Sequence, residues 1–185
     1  NIIPCLIQIM YNDLETEFIS QLGCVLIALL TKNHLKNKLK LHSVSNFIAD
    51  VILTHKQNGA IVLDCLKATS SLAHKCISNR NRLGTSEACQ IVCGVFTAQM
   101  LEDELLSSAA FQHFPNNAFY HGVRCIGELA ANHANNCAKL GSAGACEMLV
   151  KMLNRPTQSP GKPSRVLLRS SPSKVAISLY VGVCR

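Results

Sequence analysis

Two pairs of potential metal ligands stand four residues apart in this sequence, Cys89 with Cys93 and His133 with Cys137. On a helix that spacing puts both side chains on one face, where they could share a metal ion. Neither pair has a second pair at zinc-site spacing. Cys89 and Cys93 also lie in the apolar run EACQIVCGVF, where a thiol behaves as a small hydrophobe. The expectation is core cysteine, with no metal. His74-Lys75-Cys76 sets a thiol beside basic groups, which favours the thiolate, although a helix end produces the same juxtaposition by chance. Asp50 and Asp64, or Glu102, Asp103 and Glu104, could pair as carboxylates, but the last three read as a solvated helix end. Gly141-Ser142-Ala143-Gly144 lacks the trailing Lys-Ser/Thr and the preceding strand of a phosphate loop. No nucleophile elbow or zincin motif occurs. The residues assemble no catalytic constellation and call for no cofactor.

Cations are the other chemical resource. The chain carries 18 Lys+Arg against 11 Asp+Glu, a net charge of +7, which suits an acidic partner without naming one. Lys32, Lys36, Lys38 and Lys40 fall in one run with His34 and His42. Leu35, Leu39 and Leu41 alternate with them, so the run reads as a short amphipathic helix with a solvated basic face. Such a patch could meet nucleic acid or anionic lipid, though it has no aromatic residue for base stacking. A second basic stretch, residues 154–174, holds four of the six prolines and many serines, and reads as a flexible loop. Ser159 and Ser171, each before a proline, could be phosphorylated there.

These residues need a scaffold. With 185 residues, 48% hydrophobic and 16% charged, the chain can bury one substantial core and is not of disordered composition. Aromatics are only 5% and Trp is absent, so that core is aliphatic. The longest apolar stretch, CVLIALL from Cys24 to Leu30, is far below the roughly 20 residues of a membrane span. Ten cysteines, most of them inside apolar runs (Cys5, Cys24, Cys65, Cys89, Cys93, Cys125, Cys146), do not form a disulfide-scaffold pattern. They point to a reducing compartment, cytosol or nucleus. The opening NIIPCLIQIM has no basic leader and no initiator Met, so the sequence reads as a piece of something longer.

The chain repeats itself. Ser71 to Val92 aligns with Glu128 to Leu149 at an offset of 57, with seven identities in 22 positions: Leu72, Ala73, Asn79, Leu83, Gly84, Ala88 and Cys89 meet Leu129, Ala130, Asn136, Leu140, Gly141, Ala145 and Cys146. A more degraded copy runs from Ile27 to Leu53, where Leu30 precedes Leu72 by 42 residues. A period near forty results, with an insertion near 99–117. Each unit reads as helices. Leu14, Phe18, Leu22, Val25, Leu26 and Leu29 recur at helical spacing as one apolar face, with Asn12 and Asp13 as candidate caps before it. Gly84, Gly141 and Gly144 punctuate the turns, and no strand-like alternation appears.

These units resemble armadillo repeats. Leu129-Ala130, Asn135-Asn136, Leu140-Gly141, Gly144-Ala145 and Leu149-Val150-Lys151-Met152-Leu153 follow that family's pattern, and Ile3-Pro4-Cys5-Leu6-Ile7-Gln8-Ile9-Met10 follows its second helix. The resemblance implies an all-α, right-handed armadillo-type solenoid of about three to four three-helix repeats over residues 1–153, then the 154–174 loop and a truncated helix over 175–185. It implies a non-catalytic scaffold that binds a partner protein or an extended, acidic peptide along a concave groove. Family members that carry nuclear signals place Trp and Asn on each third helix. Here those positions hold Lys67 and Ser71 in the second unit, and Arg124 and Glu128 in the third, so that ligand class is excluded for this segment. Asp64 and His121 fall a turn earlier on the same faces. The alternative reading is a nucleic-acid or anionic-surface binder using the 32–42 segment and the 155–174 loop.

Overall fold

The computed structural model describes residues 2–85, 87–94 and 118–153. They are helical throughout, with no strand among them. The helices are α1 (Ile2–Asn12), α2 (Glu17–Thr31), α3 (Leu35–Lys40), α4 (Ser45–Thr54), α5 (Gly59–Ala73), α6 (Ile77–Leu83), α7 (residues 87–94), α8 (Ala118–Ala130), α9 (Ala134–Ser142) and α10 (Ala145–Leu153), with a 3-10 turn at His42–Val44 before α4. After α1 they form three triplets, each opening on a long helix that is followed by two shorter described ones. The long helices α2, α5 and α8 pack side by side in chain order, and α3 lies against α6. The expected insertion at 99–117, the loop at 154–174 and the helix at 175–185 lie outside the described residues.

The turn between long and short helix is the same in each triplet. Asn33, Lys75 and Asn132 take φ of 55, 53 and 53°, at sequence offsets of 42 and 57. Asparagine tolerates this left-handed conformation, while Lys75 carries the Cβ penalty of about 1 kcal/mol. The next residue is the N-cap of the short helix. His34 Nδ1 accepts the Asn37 N–H at 3.2 Å, and His133 Nδ1 accepts the Asn136 N–H at 3.1 Å. Cys76, the equivalent residue, adopts the same extended backbone without a side-chain cap bond.

A single aliphatic core runs through the stack. Ile27, Phe47, Val51, Ile61, Leu66, Leu72, Ile126, Leu129, Leu140 and Leu149 are fully buried, each such side chain contributing about 1.5–3 kcal/mol of transfer free energy. Phe47 meets Tyr11 of α1 edge to face, with centroids 5.4 Å apart.

Two local expectations fail. Thr16, not Asn12 or Asp13, is the N-cap of α2; Asn12 ends α1, where its amide oxygen accepts from Gln8 Nε2 at 2.8 Å. The apolar face of α2 is also turned from the one expected. Ser20, Gly23, Cys24, Ile27 and Thr31 are its buried residues, while Phe18 (70%), Leu22 (42%) and Leu29 (63%) are exposed. The helix is apolar on two sides, and small residues on one side let α5 approach closely. Leu22 corresponds to Asp64 and Leu30 to Leu72, both buried on α5.

Candidate functional site

The short helices hold the stack together through one asparagine per triplet. Asn37, Asn79 and Asn136 are equivalent, and each donates from Nδ2 to the carbonyl seven residues earlier, at the end of its own long helix: Leu30 O at 2.7 Å, Leu72 O at 3.2 Å and Leu129 O at 2.9 Å. Asn79 and Asn136 also reach back to the preceding short helix, to Lys38 O and Arg80 O, both at 3.0 Å. Two carbonyl acceptors around one amide nitrogen fix the amide orientation, since an oxygen there would face two oxygens. The approach is close: a Cβ on Gly84 would lie 2.1 Å from Asn136 Oδ1, so glycine is required at that turn.

A buried cation reaches forward along the same seam. Lys38, 3% exposed, donates from Nζ to His74 O. Its equivalent Arg80, 6% exposed, donates from Nη1 to Ala131 O at 2.7 Å and from Nε to Ala73 O at 3.1 Å. Burial pushes Lys38 below the usual lysine range; Cys76 and Glu128 oppose this, and Arg80 and Lys75 add to it. Lys38 therefore does not belong to the solvent-facing basic patch expected of it, because the phase of α3 turns it into the seam. Lys32, Lys36 and Lys40 are exposed. In the third triplet the equivalent residue is Cys137, whose thiol donates to Ala130 O at 3.3 Å. With His133 acting as a helix cap, this pair is structural.

The expected groove residues lie on α5 and α8. Asp64 is buried, accepting from Lys67 Nζ at 2.8 Å and from Gln21 Nε2 at 3.0 Å. Lys67 keeps 38% of its side chain exposed but is partly neutralised by that partner. Ser71 is not available to a ligand in the expected way: its hydroxyl donates to Ala28 O at 3.1 Å and lies 2.8 Å from Thr31 Oγ1, joining α5 to α2. Glu128 is likewise engaged, with His74 Nδ1 at 2.8 Å and Arg80 Nη2 at 3.9 Å. Arg124 is half-buried and makes no ion pair among the described residues. Burial, then the charges of Lys67 and Arg124, lower the pKa of half-buried His121, with Asp64 opposing. Lys67, His121 and Arg124 thus share one electropositive patch spanning two triplets. Sequence reasoning placed these residues on one face but missed that Asp64, Ser71 and Glu128 are held by neighbours. The 42- and 57-residue offsets, extended to Gln21, Thr31 and His74, were the signal available for it.

Five of the described cysteines are held as neutral thiols. Burial raises Cys89 to about 11 and Cys93 to about 12, and raises Cys65, Cys125 and Cys137 as well, so each remains a neutral, hydrophobic thiol at neutral pH. Cys24 and Cys65 are buried with their sulfurs 3.4 Å apart. Two expectations need correction. Cys5 is exposed rather than core, and Cys146 is disulfide-bonded rather than a free thiol. Among the described residues no three metal-ligating side chains converge, and no helix is long and apolar enough to cross a membrane. The recess between α4, α5 and α7, lined by Ile48, Ile52, Thr69 and Leu83, has room for about one water, and its lining sets no acid or base beside the Ser45 and Thr69 hydroxyls.

No protein-family model, no curated protein and no solved structure matches this chain.

Proposed function

We propose that this chain is a non-catalytic, armadillo-type α-solenoid, right-handed and built of three-helix repeats, that binds a partner protein or extended acidic peptide. The ligand lies across the long helices, with its carboxylates at Lys67 and Arg124. The observation carrying this reading is the electropositive patch shared by α5 and α8, in which Arg124 makes no ion pair among the described residues and the His121 pKa is lowered by burial and then by both cations. Stacked long helices about 10 Å apart suit an extended ligand, which advances one helix for about every three residues. A cytosolic or nuclear setting belongs with this reading. The raised, buried thiols support it, and the disulfide at Cys146 is the observation against it.

The test is capture from a nuclease-treated lysate, comparing wild type with Lys67→Glu/Arg124→Glu, followed by titration of the captured protein's acidic segment as a synthetic peptide. The reading expects that peptide to bind the wild type and to lose at least about tenfold in affinity against the double variant, since each reversal replaces attraction with repulsion. Capture that disappears with nuclease, or ignores both substitutions while circular dichroism stays unchanged, defeats it.

A further inference from the structure

The edge of the stack formed by the short helices is chemically unlike the rest of the molecule. Residues 32–42, 74–84 and 131–143, which comprise α3, α6, α9 and their flanking turns, contain no aspartate or glutamate. They do contain Lys32, Lys36, Lys38, Lys40, Lys75, Arg80, Arg82 and Lys139. Lys38 and Arg80 are turned into the seam, and Glu128 sits beside Arg80. The outward cations Lys32, Lys36, Lys40, Lys75 and Arg82 are exposed and make no ion pair among the described residues.

The pattern follows the repeat. Lys40, Arg82 and Lys139 are equivalent, placing one cation per triplet in a row. Leu35 and Ile77 are also equivalent, and are 57% and 64% exposed. On α3, Leu35 and Leu39 (47% exposed) form one i,i+4 column beside a second made by Lys36 and Lys40. Hydrogen bonds tie the edge into one surface: Asn79 to Lys38 O, Asn136 to Arg80 O, Lys139 Nζ to Gly84 O at 2.8 Å, and His133 to Asn81.

We propose that this edge docks on an anionic lipid surface. Unpaired lysines and arginines attract acidic headgroups, and exposed leucine and isoleucine between them enter the headgroup–acyl boundary. The aliphatic side chains favour lipid over nucleic acid: a phosphate backbone has no use for them, and the edge has no Phe, Tyr or Trp on which a base could stack. The site is separate from the α5–α8 patch, so either can fail alone.

Sedimentation of the 185-residue chain with phosphatidylcholine vesicles, with and without phosphatidylserine, tests it. The wild type is expected on the phosphatidylserine vesicles alone, with binding weakening as salt is added. Lys36→Glu/Lys40→Glu/Arg82→Glu removes it. Leu35→Ser/Ile77→Ser, which changes only exposed side chains, weakens it at least about tenfold, with circular dichroism confirming that both variants fold. Wild type that ignores phosphatidylserine overturns the proposal. So does vesicle binding that survives the aliphatic substitutions, or a duplex DNA that binds more tightly than the vesicles and is indifferent to them.

Discussion

The long-helix face and the short-helix edge both carry cations, yet they use them differently. On the long helices every cation has an acid or another cation near it: Lys67 is clamped by Asp64, and Arg124 sits with Lys67 and His121. On the short helices the inward cations are spent on backbone carbonyls, and the outward ones have no acid on their own elements. Net charge cannot distinguish these arrangements. What separates them is which turn of which helix a cation occupies, and whether a carboxylate of its own helix lies within reach, as Asp64 does for Lys67.

The sharpest test of this contrast is the asparagine ladder. Asn79→Ala and Asn136→Ala each strand two buried carbonyls and should cost about 2–4 kcal/mol in urea unfolding; the amide oxygens of both residues accept no hydrogen bond, which holds the loss toward the lower end. Asn37→Ala, with a single bond at an exposed site, should cost less than about 1 kcal/mol, as should Ser71→Ala on the long-helix face. Equal losses at Asn37 and Asn136 would break the comparison. Gly84→Ala forces a methyl against Asn136 and should cost about 1–3 kcal/mol, recoverable in part by pairing it with Asn136→Ala.

Lys38 and Lys40 provide the next contrast. Lys38→Ala leaves His74 O without its donor and a gap in the seam, for about 1–3 kcal/mol, whereas Lys40→Ala stays within about 0.5 kcal/mol. The electropositive patch also predicts a pH dependence. With its folded-state pKa depressed, His121 binds fewer protons folded than unfolded, so its contribution is present above the unfolded value of 6.5 and is lost as pH falls through the folded one. His121→Asn should flatten that part of the pH–stability curve below about pH 6.5. An acidic ligand bound at Lys67 and Arg124 should raise the His121 pKa, visible in its ring proton shifts. The smallest effect is expected at Lys75: replacing a φ = 53° lysine by Gly or Asn should stabilise by about 0.5–1 kcal/mol.

Much of this organisation was legible before any coordinates. Leu72, Asn79 and Gly84 repeat as Leu129, Asn136 and Gly141; the asparagine meets the carbonyl seven residues back in both copies, and Gly84 yields to Asn136 of the next triplet. Less was legible where a residue's role depends on helix phase. Nothing in LKNKLK tells Lys38 from Lys40, since six residues make fewer than two turns. Nor could the α2 pattern show its buried side, because Cys24 and Gly23 counted for less than the larger leucines that the fold leaves outside.

From its composition and periodicity alone, this sequence determines an aliphatic, all-helical chain whose units recur at 42 and 57 residues, with a strong excess of cations. Those properties are local: they depend on residue type and on spacing within one helix or one turn. Only the tertiary structure decides that Lys38 and Arg80 point inward, that Asp64, Ser71 and Glu128 are held by neighbours, and that Leu35, Ile77, Lys40 and Arg82 align along one edge. Each of those outcomes depends on a contact between residues about forty to sixty positions apart, and such a contact exists only once the triplets have stacked.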